Sequence, residues 1–204
     1  MPQSVANKIL RRIRAKGRGS VFIARDFLDL GSRSAVDQTL SRLARRSTIR
    51  RVRRGVYDYP RHHDSLGELS PSVDDVASAI ARSSGRTVQM SGARAANLLG
   101  LSTQVPAKPV FLTNGARAQD VSFGNQTIAL RPSAPRYLGT DPTRTYELVF
   151  QALRHLGKHG ADEDVIRILT RKLTPEDKRE LCRQIPRMPT WMHDIVRRIA
   201  GGSC

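Results

Sequence analysis

Cysteine, tryptophan, acidic residues and long apolar runs are all scarce in this 204-residue chain, and each scarcity excludes something. The two cysteines, Cys182 and Cys204, cannot build a metal cluster between them. They stand far apart, one at the last position, which is a poor basis for a disulfide, so reduced thiols are expected. No stretch approaches the roughly 20 consecutive apolar residues of a membrane helix. The opening MPQSVANKILRRIRAKG lacks the uninterrupted apolar core of a secretion signal, and a cytoplasmic protein is expected. Acids are outnumbered, 18 Asp+Glu against 35 Lys+Arg, which leaves a formal net charge of +17 and points to a polyanionic partner.

That charge is uneven along the sequence. Residues 1 to 61 hold 16 Lys+Arg and 4 Asp+Glu, net +12, whereas the other 143 residues hold 19 and 14, net +5. The asymmetry implies a nucleic-acid module joined to a more nearly neutral part. A hydrophobic content of 39% supports folded domains rather than disorder.

Residues 33 to 61, RSAVDQTLSRLARRSTIRRVRRGVYDYPR, carry the strongest local signal. Val36, Leu40 and Leu43 recur at i, i+4 and i+7, one face of a helix, while Arg33, Gln38, Arg42 and Arg45 occupy the other. Directly after it, Ile49, Val52 and Val56 alternate with charged neighbours around Arg54-Gly55, where glycine supplies the permissive backbone of a tight turn. A helix bearing arginine and glutamine beside an arginine-tipped hairpin suits duplex DNA. Arginine can fork onto guanine, glutamine can pair with adenine, and a basic ribbon can track phosphates. The plain alternative is a solvated basic face with an exposed loop.

Two further helical stretches precede this one, roughly residues 4 to 16, ended by Gly17 and Gly19, and 24 to 30, ended by Gly31. Ser32 is placed to cap the third. Helix, helix, turn, helix, hairpin is the order of a winged helix-turn-helix, with Ile9, Ile13, Ile23, Phe27, Leu30, Val36, Leu40 and Leu43 as its small core. The polar segment HHDSLGELSPS reads as a linker over residues 62 to 71. Residues 72 to 204 then form a second domain. It opens with a helix at SVDDVASAIARSS, the strand TVQM and a helix at SGARAANLLGL. Strands at PVFLT and QTIALR follow, the latter paired with DVSF across Gly124-Asn125. From about Pro142 four helices separated by glycine or proline follow. The expected class is α+β: an N-terminal winged helix-turn-helix over residues 1 to 61, a mixed α/β segment and a C-terminal helical region.

The run S-R-S-A-V-D-Q-T-L-S-R-L-A-R followed by I-R-R-V-R-R-G-V-Y-D-Y-P resembles the antitoxins of AbiE-type (type IV) toxin-antitoxin systems. The resemblance covers the first 60 residues closely, and TVQMSGARAANLLGLSTQVPAKPVFLTNG is similar to the second domain of that family. The C-terminal helices carry no matched motif. What the resemblance implies is a cytoplasmic transcriptional autorepressor that binds operator inverted repeats in double-stranded DNA and antagonises a toxin of the nucleotidyltransferase fold. On this reading Arg33, Ser34, Gln38 and Arg42 enter the major groove, Arg45, Arg46 and Arg50 lie at its phosphate edge, and Arg53 and Arg54 form the wing.

Other readings draw on the same residues. The charge could serve a general RNA-binding protein without duplex readout, and Lys8, Arg11, Arg12 and Arg14 beside Ile9, Leu10 and Ile13 could touch acidic lipid, although aromatic anchors are missing. His155 and His159 have metal-ligand spacing on a helix, but Leu156 stands where a zinc hydrolase carries glutamate. His62-His63-Asp64 falls in the linker, and Ser91-Gly92 reads as an ordinary helix cap. Tyr57 and Tyr59 share a strand face suited to core packing, and Trp191 opens the last helix. No paired carboxylates, phosphate loop or catalytic triad is legible, so no enzyme activity, cofactor or metal is expected.

Overall fold

The computed structural model describes residues 4–104, 107–139, 144–202 and 204. The chain divides into two compact units, Met1–Thr87 with Asp120–Ile128, and Val88–Gln119 with Ala129–Cys204. Helices, small sheets and then helices follow in chain order, which is the α+β class.

In the first unit, α1 (Val5–Lys16) begins where the Ser4 side chain accepts the Asn7 N–H and ends at Gly17, whose φ of 83° suits glycine. The strand β1 (Val21–Ile23), a 3-10 turn over Ala24–Phe27, α2 (Arg33–Arg45) and the hairpin of β2 (Arg50–Arg53) and β3 (Val56–Asp58) come next. The sheet is antiparallel in the order β1-β3-β2. Ile9 and Ile13 from α1 meet Val36, Leu40 and Leu43 from α2 in a core completed by Phe27, Phe22 and Tyr57. Phe22 and Tyr57 face each other across β1 and β3, with rings stacked at 6.4 Å.

The expected second α-helix over residues 24 to 30 is instead a single 3-10 turn, Ala24–Phe27, entered from a strand and followed by turn residues. Val21-Phe22-Ile23 pairs with β3, and Asp26 accepts the Ile23 N–H at 3.0 Å, which closes the tighter turn. The strand pairing of Val21–Ile23 and the Asp26 contact fix the entry to this segment, and only one turn of helix forms before the chain bends toward α2.

The expected linker over 62 to 71 is also corrected. It folds as a small antiparallel hairpin of β4 (His62–His63) and β5 (Gly67–Glu68). The first unit then continues through α3 (Val73–Ser83), which packs on β1 and β3. All three residues of β1 are buried, so the strand needs an apolar cover on both faces. The core helices take one face; α3, with Val76, Ala77 and Ile80 buried, takes the other. A boundary drawn from polarity at residue 61 therefore cuts through a packed unit.

In the second unit β6 (Val88–Met90) leads into α4 (Gly92–Leu98), followed by β7 (Val110–Thr113). β8 (Gln119–Phe123) turns at Gly124 into β9 (Gln126–Pro132), as the Gly-Asn pair predicts, and of these strands Asp120–Ile128 count with the first unit and Ala129–Pro132 with the second. Within the second unit β7 is antiparallel to β6 and parallel to the Ala129–Pro132 part of β9. The helices α5 (Thr145–Gly160), α6 (Glu163–Lys172), α7 (Pro175–Arg183) and α8 (Thr190–Ile199) complete the unit; the expected onset at Pro142 lies outside the described residues. Their core joins Ala95 and Ala96 of α4 to Val149, Leu153, Leu169, Leu181, Met192 and Val196. Gly92 allows α4 to approach α5, because a Cβ there would collide with the Gln151 carbonyl oxygen and the His155 Cβ.

Cys182 and Cys204 form a disulfide, with Cα atoms 5.2 Å apart, against the expectation of reduced thiols. The packing of α7 on α8 removes the separation that the sequence suggests. Among the described residues no helix is long and apolar enough to cross a membrane. The charge contrast also changes once the units are known. The first holds 18 Lys+Arg and 9 Asp+Glu, net +9, and the second 17 and 9, net +8. The acids of residues 62 to 87 and Asp120 belong to the first unit, so neither unit is near neutral.

Candidate nucleic-acid interface

The helix α2 is held from two sides. Ser32 Oγ accepts the Ala35 N–H at 3.3 Å, which fixes the helix start. Arg12 of α1 forks onto Asp29 in the turn before α2, with two contacts of 2.7 Å, and also donates to the Asp26 carbonyl oxygen at 3.1 Å. The Arg12 guanidinium holds the Asp29 carboxyl below its ordinary range. With Val36, Leu40 and Leu43 turned into the core, the helix exposes a stripe made of Arg33, Ser34, Asp37, Gln38, Arg42 and Arg45, continued by Arg46.

Within that stripe the side chains of Gln38, Arg42, Arg45 and Arg46 have no hydrogen-bond or ion-pair partner among the described residues. Arg33 differs, since its Nε donates to Asp37 Oδ2 at 2.8 Å, one helical turn on. Ser34 Oγ lies 3.2 Å from Ser32 Oγ. A helix surface carrying unpaired cations beside an amide side chain has both the charge to hold phosphates and the donors and acceptors to meet base edges.

In the wing, Gly55 adopts φ 78° and leaves Arg54 exposed at the tip. Arg51 opposite Tyr57 and Arg53 opposite Val56 show that β2 carries one extra residue, Val52, a bulge that sharpens the local twist. Arg53 is half-buried, and its Nη1 is enclosed with no hydrogen-bond partner among the described residues. Arg51 is exposed and adds a wing cation that the sequence reading missed, although the arginine pairs on either side of Val52 were the available signal.

Arg50 was expected at the phosphate edge, and the structure gives it a different role. Its Nη2 and Nε meet the two Asp58 oxygens at 2.6 and 3.1 Å, Nη1 lies 3.5 Å from Glu68 Oε2, and Nη2 also donates to the Leu69 carbonyl oxygen at 2.7 Å. Asp58 is fully buried. Burial pushes its carboxyl up, outweighing the opposing pull of Arg50, while the same carboxylate raises the guanidinium. Alternation along β3 turns Asp58 to the sheet face opposite Tyr57, so Arg50 bolts the wing to the β4-β5 segment.

The exposed side of α1 adds Lys8, Arg11, Arg14 and Lys16. Tyr57 packs in the core, and Tyr59 lies beneath the Arg18 guanidinium at 4.8 Å. In the second unit Trp191 is partly buried against the helical core. His155 and His159 fall on either side of Gly157, whose non-helical φ of 72° breaks the register that shared ligation would need. Among the described residues no group of three or more His, Cys, Asp or Glu could hold a metal ion. His62 and His63 lie exposed on β4, and Ser91 precedes α4 without a side-chain capping bond.

A family model described as a family of unknown function (DUF6088) matches residues 8–181, and the chain belongs to that family. No curated protein and no solved structure matches it.

Proposed function

We propose that this DUF6088 member binds double-stranded DNA through its first unit and acts in the cytoplasm as a transcriptional autorepressor and antitoxin rather than as an enzyme. The single observation that carries the DNA reading is the exposed α2 stripe of Gln38, Arg42, Arg45 and Arg46 with no internal partners, followed in the chain by a wing that exposes Arg51 and Arg54. In this reading Arg33, Ser34, Gln38 and Arg42 enter the major groove, Arg45 and Arg46 follow the phosphates, and Arg51, Arg53 and Arg54 form the wing contact. Arg50 drops out of the contact set, because its donors are engaged within the fold.

The antitoxin part rests on the resemblance of residues 33 to 60 to AbiE-type antitoxins. The proposed operator is an inverted repeat, and the proposed antagonist is a nucleotidyltransferase-fold toxin. In a reducing cytoplasm the Cys182–Cys204 bond would form only under oxidising conditions.

The test is titration of the full chain against the duplex upstream of its own coding sequence, a scrambled duplex and a structured RNA, at several salt concentrations. Gln38→Ala is expected to weaken only the native duplex, by about 1 to 3 kcal/mol, and Arg54→Ala both duplexes alike, with a salt slope smaller by about one. Equal losses on both duplexes for every variant would show that no base is read. RNA bound as tightly as the native duplex would replace DNA with RNA as the partner. Co-expression with a nucleotidyltransferase-fold toxin tests the second half, and growth no better than with the toxin alone would refute it.

A further inference from the structure

We infer that Asp37 is a specificity-determining positioning residue, which holds the Arg33 guanidinium so that its outer edge is ready to fork onto a guanine. The inference rests on the DNA-binding reading above and adds to it a base, a residue and a role. Arg33 is the first residue of α2 and Asp37 lies one turn further, with side chains 67% and 51% exposed at the N-terminal end of the outward stripe. A guanidinium has five N–H donors in a fixed plane, one on Nε and two on each terminal nitrogen. Asp37 Oδ2 takes the Nε donor at 2.8 Å, and the terminal nitrogens have no partner among the described residues. What remains free is the end-on pair, the geometry that meets O6 and N7 on the major-groove edge of guanine.

Two physical consequences follow. An arginine loses rotamer freedom on docking, and a side chain already held by a carboxylate loses less of it when the base arrives. A carboxylate on a DNA-facing helix also repels phosphates whatever the sequence, so Asp37 lowers affinity for every duplex except where Arg33 has a guanine to meet. Attraction to one base combined with repulsion elsewhere is how discrimination is built. The plain account of the same contact is an exposed i,i+4 ion pair that only supports the helix. That account predicts a change in stability without a change in base preference.

The experiment enriches a random-sequence duplex pool with the full chain and with Arg33→Ala, Asp37→Ala, Asp37→Asn and the double alanine variant, then titrates the winning duplex and a version changed at one position. The wild-type chain is expected to enrich guanine at one position. Asp37→Ala is expected to lose about five- to tenfold of that preference, out of the roughly 5- to 150-fold that a forked arginine supplies, while binding a scrambled duplex more tightly. Arg33→Ala should lose the preference at the same position, and the double variant should match it. Asp37→Asn, which keeps an acceptor oxygen, should restore part of the preference. Unchanged guanine enrichment by Asp37→Ala, or tighter binding to both duplexes by one common factor, would overturn the positioning role alone. A preference for cytosine that depends on Asp37 but not on Arg33 would also overturn it, because Asp37 would then be reading a base itself. Failure of the wild-type chain to enrich any duplex would refute base reading as a whole.

Discussion

Replacing Arg50 by alanine is expected to damage the first unit more than replacing its partner Asp58, and the structure sets the asymmetry. The Asp58 side chain is 1% exposed and its paired guanidinium is Arg50, so Arg50→Ala leaves a carboxylate enclosed without its counter-charge. Breaking a buried pair in this way costs about 3 to 5 kcal/mol. In Asp58→Ala the guanidinium, 31% exposed, keeps the Leu69 carbonyl oxygen and Glu68 and reaches water, so the loss falls to about 1 to 3 kcal/mol. An Arg50→Met, Asp58→Leu chain of similar volume should recover to within about 1 kcal/mol of wild type.

The deficit also has a pH signature. Burial raises the Asp58 carboxyl above its ordinary value, so the charged form is the destabilised one. Losing Arg50 removes the pull that opposes burial and raises the carboxyl further, so the Arg50→Ala penalty is full only above the variant's own raised value and shrinks as pH falls from there to the wild-type value, below which both chains hold Asp58 protonated. Urea unfolding followed by amide exchange in β2 and β3 measures the effect. The fluorescence of Trp191, the single tryptophan and a residue of the second unit, serves as the internal control. A loss under about 0.5 kcal/mol, together with a fall in DNA affinity like that of Arg54→Ala, would refute the reasoning and return Arg50 to the phosphate edge.

Three other perturbations separate backbone, packing and covalent effects. Gly55→Val places a β-branched residue at φ 78°, where open space removes any clash but not the backbone strain; DNA affinity should fall while the helical circular dichroism signal is kept, and unchanged affinity would count against the wing contact. Gly92→Ala should destabilise the second unit by about 1 to 3 kcal/mol through overpacking against α5, although alanine alone favours a helix by up to about 1 kcal/mol, so a rise in the Trp191 unfolding midpoint would contradict the close approach. Cys182→Ser should cost about 3 kcal/mol in a chain-entropy account of a cross-link spanning 22 residues, and reductant should bring the wild-type chain to the same midpoint. Equal urea midpoints with and without reductant would refute that contribution.

Much of the candidate site was readable because it depends on local periodicity. Val36, Leu40 and Leu43 define the buried side of α2, and the opposite side follows from helix geometry alone. The four C-terminal helices could be placed for the same reason, with Thr174-Pro175 and Pro189-Thr190 at the starts of two of them. Asp37 was passed over because charge counting treats an acid in a basic stripe as an interruption, and only the side-chain geometry joins it to Arg33.

The residue pattern by itself determined the helical faces, the glycine-tipped hairpin, the α+β class and the excess of cations, all properties of neighbours within a few positions. Only the tertiary structure decided that Val21-Phe22-Ile23 is a strand, that residues 62 to 87 belong to the first unit, that both units are basic, that Cys182 meets Cys204, and that Arg50 faces Asp58 rather than solvent. Each of these depends on a partner distant in sequence. Such a partner must recover the cost of closing a loop through burial, pairing or a covalent bond, and a local pattern of residue types carries no record of which distant contact does so.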